Sequence, residues 1–449
     1  MNKLALLLAL LAAMSISFGH ATASAVRMQL IHTDAGRGLT PHELLQRMAL
    51  RTKARAAQIL GEAATAQVTP GEISEATPDS EYLVHFAIGT PPQPVQLILD
   101  SGSDLVWTQC LPCASCFNQT LPQFDPSLSS TFSAAELPCS SSECQALLFS
   151  SCGPDSSSWG NRTCSRYGYS YGDGSLTMGD LDADTFTFPD AAGSGSTTAV
   201  PAMAFGCGHN NTGIFKSNET GIAGFGRGAL SLPSQLKVDN FSYCFTNITG
   251  STPSPVLLGL PANLFGSDPV QTTTLIQSSA GAPFSSYYYL PLKGITVGST
   301  RLPIPESTFA LTANGTGGTI IDSGTGMTSL PHDAYTLLHD AFVSQVNLAV
   351  VNLTSMSITQ LCFTVPPGAS ADVPKLVFDF EGATLDLPRE NYMFEIEADG
   401  VSATCLAVND NDGASDMTII GNYQQQNLHV LYDLASNELS FVPAQCDQV

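Results

Sequence analysis

Two stretches of this chain repeat one pattern, an apolar strand that runs directly into Asp-Ser-Gly. Residues 97–103 read LILDSGS and residues 319–325 read TIIDSGT. Each is followed by a second element in which apolar residues precede glycine, GIAGFG at 221–226 and TIIGN at 418–422. The copies are too far apart for a solenoid, whose repeats have a period of about 20 to 50 residues. The duplication therefore predicts two related lobes about a pseudo-twofold axis, with an aspartate from each lobe meeting at that axis.

Each copy also contains the residue types that a catalytic carboxylate requires. A strand leading into Asp-Ser-Gly places the aspartate, Asp100 or Asp322, at the tip of a tight loop. Glycine there lets the backbone turn and bring N–H groups close to the carboxylate oxygens. The supporting residues are glycines that turn the loops, serines that hydrogen-bond across the axis, and hydroxyls that donate to their own aspartate: Gly102 and Gly324, Ser101 and Ser323, Ser103 and Thr325.

A pair of carboxylates predicts hydrolysis by activated water. Two carboxylates within about 3 Å share one proton and titrate as a coupled pair. The ionised member takes a proton from bound water, and the protonated member donates to the scissile carbonyl oxygen. Both roles coexist only while the pair holds one proton, which confines activity to acid and requires no metal or other cofactor. One copy of Asp-Ser-Gly would indicate a surface turn; two matched copies argue against that interpretation.

Composition restricts both partners and fold class. The chain has 16 Lys plus Arg against 39 Asp plus Glu, a net charge of −23, which argues against a nucleic-acid or anionic-membrane partner. From Glu81 onward, short apolar runs alternate with Gly, Pro, Ser and Asn, a pattern typical of an all-β body. Residues 334–346 are the best candidate for a helix. No G-x-S-x-G, H-E-x-x-H or Walker motif supports another enzyme class.

The N-terminal region differs from the body. Lys3, an apolar run at 4–13 and small residues up to Ala25 predict a cleaved secretory signal over residues 1–25, too short for a membrane anchor. Residues 26–78 are basic and show helical spacing at 41–60. They predict a pro-segment, ending near residue 78, that is attracted to the acidic body and released as carboxylates protonate; a flexible extension is the alternative. The lobes then occupy residues 79–255 and 256–449.

Cysteines and sequons agree with export. An even number of cysteines in a secreted chain predicts disulfides, and this argues against the metal or iron–sulfur site that C-x2-C-x2-C at 110–116 otherwise suggests. The twelve cysteines are Cys110, Cys113, Cys116, Cys139, Cys144, Cys152, Cys164, Cys207, Cys244, Cys362, Cys405 and Cys446. Eight Asn-x-Ser/Thr sites are candidates for glycosylation: Asn118, Asn161, Asn210, Asn218, Asn240, Asn247, Asn314 and Asn352.

From Glu81 to the C-terminus the chain resembles the pepsin-like family of aspartic proteases, and its plant nepenthesin-type branch in particular. The resemblance implies an all-β, bilobal pepsin-like acid protease fold with the active-site cleft between the lobes. Residues 82–92, YLVHFAIGTPP, look like the family's opening strand. Residues 171–175, YGDGS, look like the tip of the flap, the hairpin that closes over substrate.

The flap resemblance implies roles for four residues. Tyr171 would be the flap tyrosine, Gly172 and Asp173 would lie beside it at the substrate, and Trp107 would be its hydrogen-bonding neighbour. Without the resemblance, Tyr171 would be an ordinary residue of a Gly-rich hairpin.

Finer sequence features indicate the nepenthesin-type branch of the family. The cysteine-rich stretch 107–164 resembles the nepenthesin-type insertion, and LPRENY at 387–392 and GNYQQQN at 421–427 also look like that branch. The saposin-like insert of the other main plant branch has no counterpart. By resemblance, Cys362 should pair with Cys405 and Cys207 with Cys446, with the other pairings open. Ser101 replaces the threonine of many relatives and keeps the hydroxyl.

We therefore expect a secreted, monomeric aspartic endopeptidase that cleaves polypeptides in acid and binds pepstatin-type inhibitors. We expect it outside the cell, in the apoplast if the source is a plant, with the vacuole as an alternative. A second hypothesis is a catalytically silent binding protein that resembles the plant xylanase inhibitors, which need the fold but not both aspartates. A third is a zymogen or storage-type glycoprotein with negligible activity.

Overall fold

Most of the chain from Tyr82 onward is described in a computed structural model. The residues described are 25–33, 38, 40, 43, 44, 48, 82–147, 149–152, 162–189, 197–213, 215, 218–248, 250, 252–259, 269–354, 358–366, 371–398, 400–413 and 416–448. Nearly all of the predicted signal and most of the predicted pro-segment lie outside this set, as do the sequon at Asn161 and all of 41–60 except Glu43, Leu44 and Met48.

Strands dominate the first half of the described chain, where β-branched and aromatic residues alternate with turn-forming ones. In chain order they are β1 (Val26–His32), β2 (Tyr82–Ile88), β3 (Gln93–Asp100), β4 (Trp107–Gln109), β5 (Ser133–Ala134), β6 (Leu137–Pro138), β7 (Phe149–Ser150), β8 (Thr163–Cys164), β9 (Arg166–Ser170), β10 (Leu176–Pro189), β11 (Thr197–Thr212), β12 (Gly221–Gly224), β13 (Asn240–Cys244) and β14 (Ser254–Leu258).

Strands also dominate the second half of the described chain. Its strands are β15 (Gln271–Thr274), β16 (Tyr289–Leu290), β17 (Leu292–Val297), β18 (Thr300–Arg301), β19 (Thr319–Ile321), β20 (Thr328–Leu330), β21 (Val350–Val351), β22 (Cys362–Thr364), β23 (Leu376–Phe380), β24 (Thr384–Asp386), β25 (Met393–Ala398), β26 (Val401–Leu406), β27 (Val408–Asp410), β28 (Thr418–Ile420), β29 (Leu428–Asp433) and β30 (Glu438–Pro443).

Helices are short, with one exception. That exception follows Pro331 and buries Ala334, Leu338 and Phe342, which recur every four residues along one face. The helices whose bounds the structure describes are α1 (Ser142–Gln145), α2 (Leu232–Leu236) and α3 (His332–Gln345), with 3-10 turns at Pro126–Leu128, Phe284–Ser286, Glu306–Phe309, Arg389–Asn391 and Asn422–Gln425. Helix α3 confirms the predicted helix at 334–346. None of the helices in the described part of the chain combines the length and apolar character that crossing a membrane requires.

The duplicated motif forms the same arrangement twice. In the N-terminal half, β3 pairs in parallel with β12, β12 pairs antiparallel with β4, and β4 pairs in parallel with β11. In the C-terminal half, β19, β28, β20 and β27 repeat these three pairings in the same order and directions. Each aspartate therefore stands at the end of a strand whose parallel neighbour is the downstream glycine element. The prediction of an all-β, two-lobed fold is confirmed.

One large sheet of the described residues draws strands from both halves. From one edge the sheet runs β15-β30-β29-β13-β14-β1-β2-β3, so C-terminal strands pair directly with strands of the N-terminal half. The division that we place between residues 255 and 256 falls inside β14, because Ser254–Leu258 pairs continuously with β1.

The leader contributes strand β1 to this sheet. It pairs with β14 on one side and β2 on the other. Val26, Met28, Leu30 and His32 alternate along it and are buried. This part of the leader is thus held by backbone hydrogen bonds and apolar burial.

One of the disulfides implied by the resemblance is wrong. Cys362 does bond to Cys405, but Cys207 bonds to Cys110 and Cys446 bonds to Cys244. Strand register explains the difference, because β11 lies beside β4 with Cys207 opposite Thr108, two residues before Cys110. Cys446 is still bridged to the N-terminal half, but its partner there is Cys244 and not Cys207.

The remaining cysteines pair within the insertion. The bridges are Cys113–Cys116, Cys139–Cys152 and Cys144–Cys164. The C-x2-C-x2-C motif is therefore divided between two disulfides. All twelve cysteines are described, and all are bonded.

Removal of the Cys244–Cys446 bridge by a double serine substitution should lower the free energy of unfolding by about 4 kcal/mol, because the bridge closes a very long loop. Denaturant unfolding measures the loss. The matched control replaces Cys113 and Cys116, which are three residues apart and should give a smaller loss. Equal losses would contradict the loop-length explanation.

One buried acid on β10 gives the fold a preference for low pH. Asp182 is 8% exposed, and burial, with a smaller contribution from the charge of Asp180, raises its pKa from 3.8 to about 7. The folded state therefore binds this proton more tightly than the unfolded state. The resulting stabilisation is complete below pH 3.8 and is lost as the pH rises through about 7.

Asp182→Asn should therefore abolish part of the pH dependence of thermal stability. We expect the melting temperature of the variant, relative to that of the wild type, to rise between pH 4 and pH 7.5, because only the wild type must ionise a buried acid. Asp447→Asn, at an exposed position, is the control. Parallel pH curves for Asp182→Asn and the wild type would refute the assignment.

Candidate active site

Strands β3 and β19 carry the two aspartates into the interior. Leu97, Ile98 and Leu99 are buried before Asp100, and Ile320 and Ile321 precede Asp322 in the same way. Asp100 stands opposite Gly224 of β12, and the backbone N–H of Asp322 donates to Ile420 of β28 at 3.0 Å. Both aspartates have 0% exposure.

The two carboxylates have matching hydrogen-bond donors. Asp100 Oδ1 accepts from the N–H of Gly102 at 3.0 Å, and its Oδ2 accepts from Ser103 Oγ at 2.5 Å. Asp322 Oδ1 accepts from the N–H of Gly324 at 2.9 Å, and its Oδ2 accepts from Thr325 Oγ1 at 2.6 Å. Charge-assisted bonds of this kind hold a carboxylate in one orientation.

Serine side chains tie the two loops together. Ser323 Oγ donates to the carbonyl of Leu99 at 2.9 Å and accepts from the N–H of Ser101 at 2.8 Å. Reciprocally, Ser101 Oγ accepts from the N–H of Ser323 at 2.9 Å and lies 3.5 Å from the carbonyl of Ile321. The structure thus brings together the residues that the duplication singles out.

A buried polar chain behind the loops was not anticipated from the sequence. Tyr432 hydrogen-bonds Ser101, and its hydroxyl lies 2.9 Å from that of Tyr243. Tyr243 donates to Gln425 Oε1 at 2.5 Å, and Gln425 Nε2 donates to the carbonyls of Ile420 at 3.0 Å and Asp322 at 3.4 Å. The stretch GNYQQQN contains Gln425, and the sequence alone indicates only that it resembles the branch.

The flap residues form a tight turn between β9 and β10. Tyr171 N–H donates to the carbonyl of Ser175 at 2.8 Å, and Asp173 Oδ1 accepts from the N–H of Ser175 at 2.7 Å. Gly174 has a φ of 84°, in the left-handed region that favours glycine. Gly172 is partly exposed beside it.

Tyr171 is held by Trp107. The indole Nε1–H donates to the tyrosine hydroxyl at 2.7 Å, and both side chains are buried. Burial, reinforced by Tyr169 and Asp100, raises the pKa of Tyr171 well above its usual value, so the hydroxyl stays neutral. The influence of Asp100 on Tyr171 indicates that the flap tyrosine lies near the aspartate.

The cysteine-rich insertion is joined to the flap. Strand β7 pairs with β9, with Phe149 opposite Gly168 and Ser150 opposite Tyr167. The flap hairpin β9–β10 is therefore extended by β7 on one side, as it is by β11 on the other.

The candidate glycosylation sites differ in exposure. Asn118, Asn314 and Asn352 are exposed. The partly buried sites are Asn210, Asn218, Asn240 and Asn247, and the side-chain amide of Asn218 donates to the carbonyl of Thr33 at 2.8 Å.

Comparisons with known proteins agree with this geometry. The family models described as xylanase inhibitor N-terminal and xylanase inhibitor C-terminal match residues 82–260 and 287–443. Aspartic proteinase nepenthesin-1 of Nepenthes gracilis is 45% identical over 423 residues, which cover 94% of this chain and 90% of that protein. Nepenthesin-2 of the same species is 43% identical with the same coverage.

A solved structure also matches. The crystal structure of edgp superposes with a TM-score of 0.65 at 19% identity, covering 95% of this chain and 96% of that one. At this identity the match establishes the fold alone.

Ser323→Ala should lower the free energy of unfolding by about 1 to 3 kcal/mol, because it removes a buried donor and leaves the N–H of Ser101 without its acceptor. The matched control is Thr418→Val on β28, since the buried Thr418 hydroxyl has no hydrogen-bond partner among the described residues. Denaturant unfolding should show the control unchanged or slightly stabilised. Similar losses in both variants would argue against the importance of the serine contacts.

Proposed function

Since the chain belongs to the nepenthesin-type branch of the plant pepsin-like aspartic proteases and is an aspartic endopeptidase, we propose that Asp100 and Asp322 are its catalytic pair. The observation that carries the proposal is the symmetry of the two loops. Each presents a fully buried carboxylate with one N–H donor and one hydroxyl donor, and reciprocal serine contacts join the loops.

The mechanism follows from a single shared proton. The ionised carboxylate removes a proton from a water molecule, whose oxygen attacks the carbonyl carbon of the scissile peptide bond. The protonated carboxylate donates its proton to the carbonyl oxygen, which gives a neutral tetrahedral diol. When the C–N bond breaks, the proton taken from water passes to the leaving amine, and the hydroxyl proton returns to the pair. The products are a carboxylic acid and an amine, and the pair again holds one proton.

Tyr171 and Trp107 support the roles that the resemblance implies for the flap. We propose that this neutral tyrosine hydroxyl near Asp100, fixed by the indole N–H, limits the access of bulk water to the bound peptide. Water exclusion strengthens every hydrogen bond to the developing charge. We assign Asp173 to shaping the flap turn, because its carboxylate accepts from the N–H of Ser175.

We propose that the protein is exported and acts as a monomer in an acidic extracellular space. Twelve bonded cysteines support an oxidising compartment. The raised pKa values of the buried Asp104 and Asp182 support acid tolerance, because both favour the protonated folded state.

The second candidate is a catalytically silent binding protein. The descriptions of the two matched family models favour it, since both name xylanase inhibitors. The named proteinases among the relatives and the presence of both aspartates with all four of their donors support the enzyme instead.

Cleavage of a denatured protein across a pH range, with and without pepstatin, tests the proposal. Enzyme freed of its leader should cleave only in acid and be blocked by the inhibitor. Asp100→Asn and Asp322→Asn should each lower kcat by at least about 1,000-fold, since neither variant can hold both protonation states of the pair.

Asp340→Asn, on the exposed side of helix α3, is the matched control and should keep full activity. Substantial turnover in either active-site variant would overturn the assignment of the pair. Folded, leader-free wild type without any cleavage would favour the binding protein.

A further inference from the structure

A third buried carboxylate lies four residues after Asp100. Asp104 is 2% exposed. Its Oδ1 accepts from the N–H of Gly228 at 2.8 Å, and its Oδ2 accepts from the hydroxyl of Ser286. Gly228 belongs to the N-terminal half and Ser286 to the C-terminal half, so this one side chain bonds across the boundary between lobes.

The surrounding loop is shaped to fit this carboxylate. A Cβ atom at Gly226 would lie 2.5 Å from Asp104 Oδ1, and one at Gly228 would lie 2.1 Å from Oδ2. Real Cβ atoms do not approach so closely, so both positions require glycine while the acid is present. The same loop contacts the catalytic loop, because Gly226 N–H donates to the carbonyl of Ser103 at 2.8 Å.

The contact with Ser286 leads towards the other aspartate. Ser286 ends the 3-10 turn Phe284–Ser286, two residues before Tyr288. The carbonyl of Tyr288 accepts from the N–H of Ile321 at 3.2 Å, immediately before Asp322. Asp104 therefore bonds to segments that support both catalytic loops.

Charged and titratable groups of the described residues surround Asp104 from several elements. Asp100 faces it from the catalytic loop, Tyr169 from β9 and Tyr288 from the C-terminal half. Burial raises the pKa of both tyrosines well above the usual value, so neither carries charge. Arg227 lies on the adjacent loop, but its guanidinium lies over the ring of Tyr288 and donates to Asn437.

We propose that Asp104 is a positioning residue that ties the lobes beside the catalytic pair and, while ionised, opposes the loss of the proton that Asp100 and Asp322 share. The inference rests on the proposed function, because it presupposes that these two aspartates form the catalytic pair.

Like-charge repulsion determines the direction in which Asp104 shifts the pH dependence of activity. Loss of the shared proton adds a second negative charge to the pair, and an ionised Asp104 makes that step harder. It therefore extends activity towards higher pH. Burial, with a smaller contribution from Asp100, raises the pKa of Asp104, while the bonds from Ser286 and Gly228 oppose this. Because a carboxyl group is protonated at low pH, the charge of Asp104 exerts its influence on the alkaline limb.

Asp104→Asn tests the charge while keeping the shape. Its carbonyl oxygen still accepts from Gly228, and its amide donates to the Ser286 oxygen. We expect the alkaline limb of kcat/KM against pH to move down by about half a pH unit or more, with the acid limb unmoved. Asp104→Ser, a second uncharged variant, should give the same shift if the asparagine variant does not fold.

Two further variants separate charge from structure. Ser286→Ala keeps the charge and removes the bond between lobes, so it should lower the melting temperature while moving the alkaline limb less than Asp104→Asn does. Asp184→Asn, a buried acid on β10 bonded to Thr131 and Thr185, should leave both limbs in place.

The outcomes distinguish the two proposals. An acid-active, pepstatin-sensitive wild type with an unmoved alkaline limb in folded Asp104→Asn overturns the role of Asp104 alone. A wild type without acid activity, or an active Asp322→Asn, overturns the catalytic pair itself. A selective shift of the alkaline limb in the uncharged variants supports the inference.

Discussion

Reciprocal hydrogen bonds between Ser101 and Ser323 are the contact on which the rest of the site depends. Each half of the chain supplies one carboxylate with its own donors, and neither half contains a pair. Two lobes that pack independently would leave the distance between aspartates free to vary. The serine contacts remove this freedom at the aspartates themselves. Three further links join the two halves: the chain from Tyr432 to Gln425, the contact of Asp104 with Ser286, and the Cys244–Cys446 bridge.

Local pattern was enough to predict the repeated part of the fold. The apolar runs before Asp100 and Asp322 predicted two strands, and their downstream partners proved to be the parallel neighbours in each lobe. Residues 334–346 showed the spacing of a helix, and α3 lies there. These predictions succeeded because the information lies within a few residues of the element concerned.

Contacts between distant segments could not be predicted in the same way. The partner of Cys207 depends on the register of β11 against β4, which no local pattern specifies, and the resemblance supplied the wrong partner. The role of Asp104 could not be predicted, because an acid after Asp-Ser-Gly-Ser has the pattern of a polar loop residue. Its hydrogen-bond partner, the hydroxyl of Ser286, lies 182 residues away along the chain. Strand β1 does carry a local signal, the alternation of Val26, Met28 and Leu30, although the basic residues of the leader predict an electrostatic contact instead.

The leader strand has a consequence for the integrity of a processed molecule. A protease that cuts between residues 34 and 81 severs the covalent link to β1 but none of its pairing with β2 and β14. The product is then a complex of two chains, in which a short peptide completes the sheet. The fraction of molecules that retain the peptide then depends on concentration. Dilution or a competing peptide can remove the strand, which was impossible while the chain was continuous. If the strand departs, two facing edges of the sheet lose their partner, and exposed edges of this kind invite association with other chains.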